Sequence, residues 1–333
     1  MREPERYFYH SFPRRFREDP ASEIDSGLQI LSSIIASGFL LTPETTEWRE
    51  SLSDGSLGKA WKVCQKTCSF TELASRELQD HSEEFGKFSI EFDLQAFREL
   101  GGLPVFYLPR ATADDHGLES IAATLMARIG ETQTLLEQLA ELEKLVSANE
   151  DKSQLLVITN DVQQGYTRCS LGGAEDVLKY LTHGKQPVGS LSNSLAGLSA
   201  LFYPAENFQY TGLLAYYRQR EWRLVSNIIQ HGQSVDRDLT APEKAALMAI
   251  DSEFFGQEME FRTGTCHRVD ECRLFNKLNG KPLIQYANRV IVPGDALARA
   301  EELLEGSAEI QVVALEGLIN TRGAAGGREI TEV

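Results

Sequence analysis

Residues 68–93 read CSFTELASRELQDHSEEFGKFSIEFD and contain a helix start, a helix stop and a strand in one unit. Thr71 is a residue type that caps helix N-termini, and an apolar face follows it at helical spacing. That face consists of Ala74, Leu78, His81 and Phe85. Gly86 supplies a left-handed stop, and residues 88–92 then alternate apolar and polar side chains, which is typical of a strand. The stretch predicts a helix over 71–85 and then a strand.

Four other segments belong with this unit. They are Tyr7-Phe-Tyr-His10, the GGLPVFYL run of 101–108, Arg220-Glu-Trp-Arg223 and Val290-Ile-Val-Pro293. Together with 68–93, these segments resemble the AbiGi-type family of bacterial abortive-infection proteins. The resemblance implies a role in anti-phage defence, as the antitoxin half of a two-gene system. It implies no demonstrated chemistry.

Composition narrows the possible functions. The chain has 333 residues, 42% of them hydrophobic, and a formal net charge of −16. That charge repels nucleic-acid backbones, so direct DNA binding is not expected, whereas a basic protein partner suits it. No apolar run approaches the length of a membrane helix, and the N-terminus lacks the apolar core of a signal peptide. We therefore expect a cytoplasmic protein with no membrane association, and leave an oligomer open.

The five cysteines are Cys64, Cys68, Cys169, Cys266 and Cys272. An odd count without an export signal favours reduced thiols over disulfides. Cys64 and Cys68 form one closely spaced pair and Cys266 and Cys272 another, and cysteine is a residue type that tetrahedral zinc prefers. Their spacing is unlike that of known zinc sites, so buried small thiols are the favoured interpretation and no metal site is expected. The sequence does not say whether these four cysteines lie near one another.

Helical periodicity organises the first two thirds of the chain. A helix is predicted from Ser22 to a stop at Ser37-Gly38, and a loop over 42–62. The longest helical pattern covers 117–148, and it favours packing on its own domain over coiled-coil pairing because it lacks a strict heptad. The segment 150–200 reads as an insertion, with a helix at 174–181 and a Gly/Ser-rich run at 189–199.

The last third returns to strands. Strands are predicted at 208–210, 220–225, 282–292 and 309–314, with helices at 241–251 and 293–304. Thr240 and Glu243 form a capping box for the first of these helices. The expected fold class is α+β, a mixed sheet with flanking helices and a helical insertion. The domains would be 1–110 and 201–320 as two halves of a core, 111–200 as the insertion, and 321–333 as a disordered tail.

A more distant resemblance concerns possible chemistry. An early strand ending in His, a helix closed by Ser-Gly and a late strand with Glu resemble the layout of ADP-ribosyltransferase-type folds. The resemblance implies that His10, with Tyr9 and Ser11, binds NAD. It implies that Glu221, with Gln219, does catalytic work by stabilising positive charge as nicotinamide leaves. The signatures of well-known members are absent, since His10 is followed by Ser-Phe-Pro.

Two functions from different classes therefore remain. The first is an antitoxin or regulator that acts by binding a protein partner, and it is favoured. The second is an NAD-using enzyme, in which case NAD is the cofactor. The simpler interpretation of Glu221 is an ion pair with a nearby basic residue, and that of His81 is a core histidine. Motifs of P-loop ATPases, Rossmann oxidoreductases and α/β-hydrolases are missing.

Overall fold

The computed structural model describes residues 5–13, 20–51, 57–109, 118–160, 165–181, 188–205, 220–226, 229–230, 233–261, 264–305 and 310–318. The helices there are α1 (Pro20–Ser37), α2 (Leu78–Phe85), α3 (Leu94–Glu99), α4 (Leu118–Ala148), α5 (Leu171–Leu181), α6 (Val188–Ser199), α7 (Ala241–Ile250), α8 (Ser252–Phe255), α9 (Arg268–Glu271) and α10 (Leu297–Leu303). Short 3₁₀ turns lie at Ser75–Glu77, Leu283–Tyr286, Gly294–Ala296 and Leu315–Leu318.

The first ten strands are β1 (Arg6–Phe12), β2 (Phe39–Ser51), β3 (Leu57–Ala74), β4 (Phe88–Phe92), β5 (Leu103–Pro104), β6 (Phe106–Pro109), β7 (Leu155–Asn160), β8 (Gly165–Ser170), β9 (Phe202–Ala205) and β10 (Glu221–Val225). The others are β11 (Ile229–Gln230), β12 (Gln233–Ser234), β13 (Arg237–Asp238), β14 (Glu258–Phe261), β15 (Gly264–His267), β16 (Arg273–Phe275), β17 (Lys277–Leu278), β18 (Lys281–Pro282), β19 (Arg289–Val292) and β20 (Gln311–Ala314).

A mixed ten-stranded sheet forms the centre of the fold, which confirms the α+β prediction. Its order is β13-β16-β2-β3-β1-β4-β19-β20, and β10 pairs with both β3 and β5. The pairs are antiparallel except β19 with β20. β3 is long enough to serve three neighbours. β1 and β2 use one of its edges in succession, and β10 uses the other.

One face of this sheet, here called the aromatic face, carries a run of phenylalanines. Phe8, Phe12, Phe70, Phe88 and Phe92 are buried there against helices α1, α3 and α10. Phe97 of α3 stacks on Phe8, with 4.4 Å between ring centroids. The opposite, polar face carries buried hydroxyl and charged groups. Because strand side chains alternate, neighbouring residues of one strand belong to different faces.

The segment predicted as an insertion over 111–200 is described from residue 118, and we use the word insertion for 118–205. Its long helix α4 packs against α5 and α6, and residues of α4, α5 and the β7–β8 hairpin share a small hydrophobic cluster. Parallel pairing of β6 with β9 brings the two ends of the segment together beside the sheet. The helix predicted over 117–148 and the one over 174–181 are confirmed, while the β7–β8 hairpin was not foreseen.

Several boundaries differ from the sequence predictions. Thr71 does not cap a helix, because it lies inside β3 opposite Tyr9 and opposite Glu221, and the helix begins only at Leu78. The loop predicted over 42–62 is wrong, since β2 and β3 form a long hairpin there. The Gly/Ser-rich run 189–199 is the helix α6.

The C-terminal predictions were partly correct. Of the strand expected over 282–292, only Pro282 in β18 and the residues of β19 are extended strand, with a 3₁₀ turn between them. The helix expected from 293 begins as a second such turn. The capping box at Thr240 and Glu243 is confirmed, as are the stops at Gly38 and Gly86, both at positive φ. The strand expected at 208–210 and the tail from 321 lie outside the described residues.

Candidate functional site

The predicted site residues do not converge on one pocket. Tyr9 of β1 and Glu221 of β10 both pair with Thr71, from opposite edges of β3, so their side chains share the polar face. His10 is the next residue along β1 and therefore belongs to the aromatic face. The structure thus separates His10 from Glu221 by the thickness of the sheet. Gln219 lies outside the described residues.

His10 is half-buried among aromatic rings. Its ring centroid lies 5.3 Å from those of Phe39 and Phe70 and 5.7 Å from that of Phe12. Its Nδ1 donates to the carbonyl of Ser69 at 2.9 Å. Ser69 lies in β3 between the residues that pair with β1 and those that pair with β2. Its carbonyl is therefore not used by either strand and accepts from the imidazole. These contacts are those of a histidine packed in the core with a hydrogen-bond partner.

Tyr9 and Ser11 lie on the polar face with partners of their own. The Tyr9 hydroxyl donates to the buried carboxylate of Glu91 at 2.7 Å, and Arg289 donates to the same carboxylate through Nε at 2.8 Å. Burial and the Glu91 charge raise the pKa of Tyr9, which keeps it a donor. The Ser11 hydroxyl is 2.8 Å from that of Ser89. These contacts satisfy groups that would otherwise be costly to bury.

Glu221 is the centre of a second network. One carboxylate oxygen accepts from the Ser69 hydroxyl at 2.7 Å and from Arg223 Nε at 2.9 Å, and the other accepts from the Tyr107 hydroxyl. Burial raises the pKa of the carboxyl, but the guanidinium and the donated hydrogen bonds outweigh it and leave the pKa below its usual value. The ion-pair interpretation made from the sequence agrees with this geometry.

The network continues from Glu221 into the insertion. Arg223, which is buried, donates through Nη1 to Gln65 Oε1 at 2.9 Å and to the Ala200 carbonyl at 3.1 Å. Gln65 in turn donates to the carbonyls of Ser199 and Phe202. Two strands of the sheet therefore hold the backbone that follows helix α6. These hydrogen bonds connect the sheet to residues 199–202 of the insertion.

The five cysteines lie in three places, with Cys169 in the insertion. Cys68 faces His10, with its Sγ 3.5 Å from Nδ1. Cys64, Cys266 and Cys272 lie close enough to Lys66 and Glu271 to share their electrostatic field. Burial raises the pKa of Cys64 and of Cys272 to about 12, so these thiols are protonated. Within the described ranges no group of three or more potential ligands is arranged to hold a metal ion.

The insertion presents an apolar surface instead. On the β7–β8 hairpin, the inward side chains Leu156 and Cys169 join the cluster against α4. On α5, the inward residues are Leu171, Ala174 and Leu178. The outward side of the same two elements carries, among charged residues such as Asp176 and Lys179, six large apolar side chains that are each more than half exposed. We call this set the insertion surface: Leu155, Val157, Tyr166, Val177, Tyr180 and Leu181.

Charges accompany this surface. Glu150 and Asp151 precede the hairpin, and Asp176 adjoins Val177 on α5; all three are exposed. Hydrogen bonds from the side chain and backbone of Ser153 lower the pKa of Asp151. Arg168 lies over the Tyr166 ring, 4.9 Å from its centroid. The rim is thus mixed in sign, in a chain with a strong acidic excess.

Sequence reasoning missed the insertion surface, although part of its signal was readable. Val177, Tyr180 and Leu181 follow the i, i+3, i+4 spacing of a helix face, next to the buried stripe of the same helix. When the apolar face of a helix is wider than the surface it packs against, the remaining apolar residues indicate a second contact. The hairpin residues gave no comparable signal.

Comparison with known proteins places the chain in context. Residues 47–249, more than half of the chain, match the family model described as "Putative abortive phage resistance protein AbiGi, antitoxin". The matched range contains the whole insertion and the strands β3 and β10 that hold it. No curated protein and no solved structure matches the chain. Among the described residues, no helix combines the length and apolarity needed to cross a membrane.

Proposed function

This chain belongs to the AbiGi family of abortive phage resistance antitoxins, and we propose that it neutralises a toxin by binding it through the insertion surface. Membership in the family supports the antitoxin role. The proposal adds the mode of action, a direct protein contact, and its place on the molecule. The observation that carries it is the set of six large apolar side chains left exposed on the β7–β8 hairpin and α5.

The apolar character of the insertion surface supports a protein contact. Soluble proteins rarely leave several large apolar side chains exposed together unless a partner covers them. Tyr180 is 77% exposed and Tyr166 is 65% exposed. Tyrosine is enriched among the residues that dominate binding energy at protein interfaces. The two tyrosines are therefore the expected anchors of the contact.

The charge of the chain indicates the chemistry of the toxin. At −16 the protein attracts a basic partner and steers it during diffusional encounter. The exposed carboxylates beside the insertion surface would meet basic groups at the rim of the contact. A toxin whose own site binds nucleic acid has that positive surface, because phosphate recognition depends on Lys and Arg.

Growth and binding measurements test the proposal together. The test uses the product of the gene adjacent to this one as the candidate toxin, and co-expression with wild-type protein should relieve the growth arrest that a toxin causes. The purified pair should form a stoichiometric complex in titration calorimetry. Leu155→Asp and Tyr180→Asp should each weaken that complex by about tenfold or more, as expected for interface anchors.

A matched control comes from the same insertion. Leu135 on α4 is 54% exposed but lies outside the insertion surface, so Leu135→Asp should bind as the wild type does. Relief of growth arrest without a complex would overturn the binding mechanism. Equal binding by all three variants would overturn the placement of the contact.

A further inference from the structure

The outward side of the β7–β8 hairpin carries a charged residue next to its exposed apolar side chains. Arg168 lies directly opposite Val157 in the register of the two strands. Residues that face each other across an antiparallel pair project from the same side, and so do residues two positions apart along one strand. Leu155, Val157, Tyr166 and Arg168 therefore share this side, and all four are exposed. The guanidinium thus adjoins the apolar side chains of the hairpin directly.

The Tyr166 ring holds this guanidinium in place. The Arg168 Cζ lies 4.9 Å from the ring centroid, which is within the range of a cation–π contact. A planar guanidinium that is already stacked on a ring loses less freedom on binding than a freely moving side chain does. Arg168 therefore presents its hydrogen-bond donors from a partly fixed position.

Arg168 makes no ion pair with any of the residues that the structure describes. Arginines elsewhere in those ranges do pair with carboxylates: Arg6, Arg128, Arg220, Arg223, Arg237, Arg273, Arg289 and Arg299. The chain has 49 acidic residues against 33 basic ones, so carboxylates are plentiful. Water solvates the Arg168 charge in the free protein, and the group remains available to a carboxylate from outside the chain.

A partner that covers the outward side of the hairpin also covers Arg168. This step rests on the proposed function, in which a toxin buries the exposed side chains of the hairpin. Val157 lies opposite Arg168 and Tyr166 lies beneath its guanidinium, so burying these two side chains removes water from the charge as well. A buried charge without a counter-charge is strongly unfavourable. A carboxylate satisfies it best, because a guanidinium can donate two parallel hydrogen bonds to the two carboxylate oxygens.

We propose that Arg168 is a specificity-determining residue of the toxin contact and pairs with an Asp or Glu side chain of the toxin. The charge of −16 attracts basic proteins in general and does not distinguish one from another. A basic protein without a carboxylate at this position would place an uncharged or positive group against Arg168, which disfavours the complex. Long-range charge therefore brings basic proteins to the chain, and Arg168 selects the one that carries the matching carboxylate.

Titration calorimetry with the purified product of the adjacent gene tests this pairing. Arg168→Glu should weaken the complex by about thirtyfold or more, because it brings two carboxylates together in a contact that excludes water. Arg128→Glu is the matched control. Arg128 is an exposed arginine on α4 of the same insertion, it lies outside the insertion surface, and its substitution changes the net charge by the same amount. This control should bind as the wild type does, and far-ultraviolet circular dichroism should match the wild type for both variants.

A charge swap adds a result that misfolding cannot imitate. Each Asp and Glu of the toxin is replaced singly by Lys, and one of these toxin variants should bind Arg168→Glu about tenfold or more tightly than the wild-type toxin does. A scan in which no toxin variant recovers binding overturns the carboxylate pairing. Equal binding by Arg168→Glu and Arg128→Glu, in a complex that Tyr180→Asp weakens, overturns this inference alone. A wild-type pair that forms no complex overturns the proposed function, and this inference with it.

Discussion

The central sheet and the insertion handle their apolar residues in opposite ways. In β4 all five residues are buried, and the aromatic face is covered by helices. In the insertion, two elements bury one apolar face and expose another. Most of the exposed large hydrophobic side chains among the described residues belong to 118–205. The sheet has the features of a scaffold, and the insertion has those of a binding module.

The polar groups show the same division. On the sheet, Glu91 and Glu221 each have both carboxylate oxygens engaged by donors from the protein. On the insertion, Glu150 and Asp176 are exposed to solvent. A carboxylate whose oxygens already accept several hydrogen bonds is suited to holding structure, whereas exposed carboxylates are available for a partner.

The largest expected effect is a core truncation against the aromatic face of the sheet, at Phe97 of α3. Phe97 is fully buried, with its ring 4.4 Å from that of Phe8 and 4.7 Å from that of Phe70. Phe97→Ala should lower the free energy of unfolding by about 3–5 kcal/mol, because it leaves a cavity that the rings cannot fill. Urea unfolding measures it. A loss below that of Tyr180→Ala in the insertion would contradict the scaffold role of the sheet.

A smaller loss is expected from breaking the junction between the two regions. Arg223→Met removes the guanidinium that pairs with Glu221 and donates to the Ala200 carbonyl. The free energy of unfolding should fall by about 2–3 kcal/mol, less than for a fully buried ion pair because the Glu221 side chain keeps 17% exposure.

The exposed pair of Lys144 and Glu141 in the insertion is its control. Lys144→Met should change the free energy of unfolding by less than about 1 kcal/mol. Limited proteolysis adds a second readout, since the Arg223 variant should be cleaved in 188–205 faster than the control variant. Equal unfolding and cleavage for the two would show that the network does not hold the insertion.

Acid should loosen the same junction. The pKa of Glu221 is lowered in the folded protein, so its stabilising contribution is complete above the unfolded value of about 4.3 and disappears as the pH falls through the folded pKa. Glu221→Gln should lower the free energy of unfolding at neutral pH by about 1–2 kcal/mol. The gap between variant and wild type should narrow below about pH 4. A difference in the free energy of unfolding that grows as the pH falls would contradict a lowered pKa for Glu221.

Local sequence signals predicted the structure of this protein better than features that depend on long-range strand pairing. Helix α7 was found at its true start because Thr240 and Glu243 form a local capping box. Thr71 looked like a cap but lies within β3, because pairing with β1 and β10 outweighs local propensity. The β2–β3 hairpin was predicted as a loop because Pro43, Gly55 and Gly58 lie among polar neighbours, whereas its strands form by pairing with each other.

The candidate sites follow the same logic. The run Arg220-Glu-Trp-Arg223 contains the ion pair of Glu221 with Arg223, which agrees with the simpler interpretation of Glu221 made from the sequence. Nothing in the spacing revealed that His10 and Glu221 lie on opposite faces, because that depends on the register of three strands. NAD binding at Tyr9, His10, Ser11, Gln219 and Glu221 stays a prediction, as do the domain boundaries at 110, 200 and 320.

The smallest expected effect on stability is at the insertion surface. Tyr180→Asp should change the free energy of unfolding by less than about 0.5 kcal/mol, because the side chain is mostly in water already. Thermal unfolding beside the wild type measures it. A decrease in the free energy of unfolding comparable to that of Arg223→Met would mean that Tyr180 stabilises the fold and is not exposed for binding a partner.

The most direct test compares toxin binding by one variant from each region, Tyr180→Asp and Glu221→Gln, in titration calorimetry with the purified product of the adjacent gene. The account predicts that Tyr180→Asp weakens binding by about tenfold or more while remaining folded. It predicts that Glu221→Gln binds as the wild type does, since it alters the scaffold and not the contact. Loss of toxin binding by Glu221→Gln, with binding retained by Tyr180→Asp, would contradict the account and would place the toxin contact on the sheet.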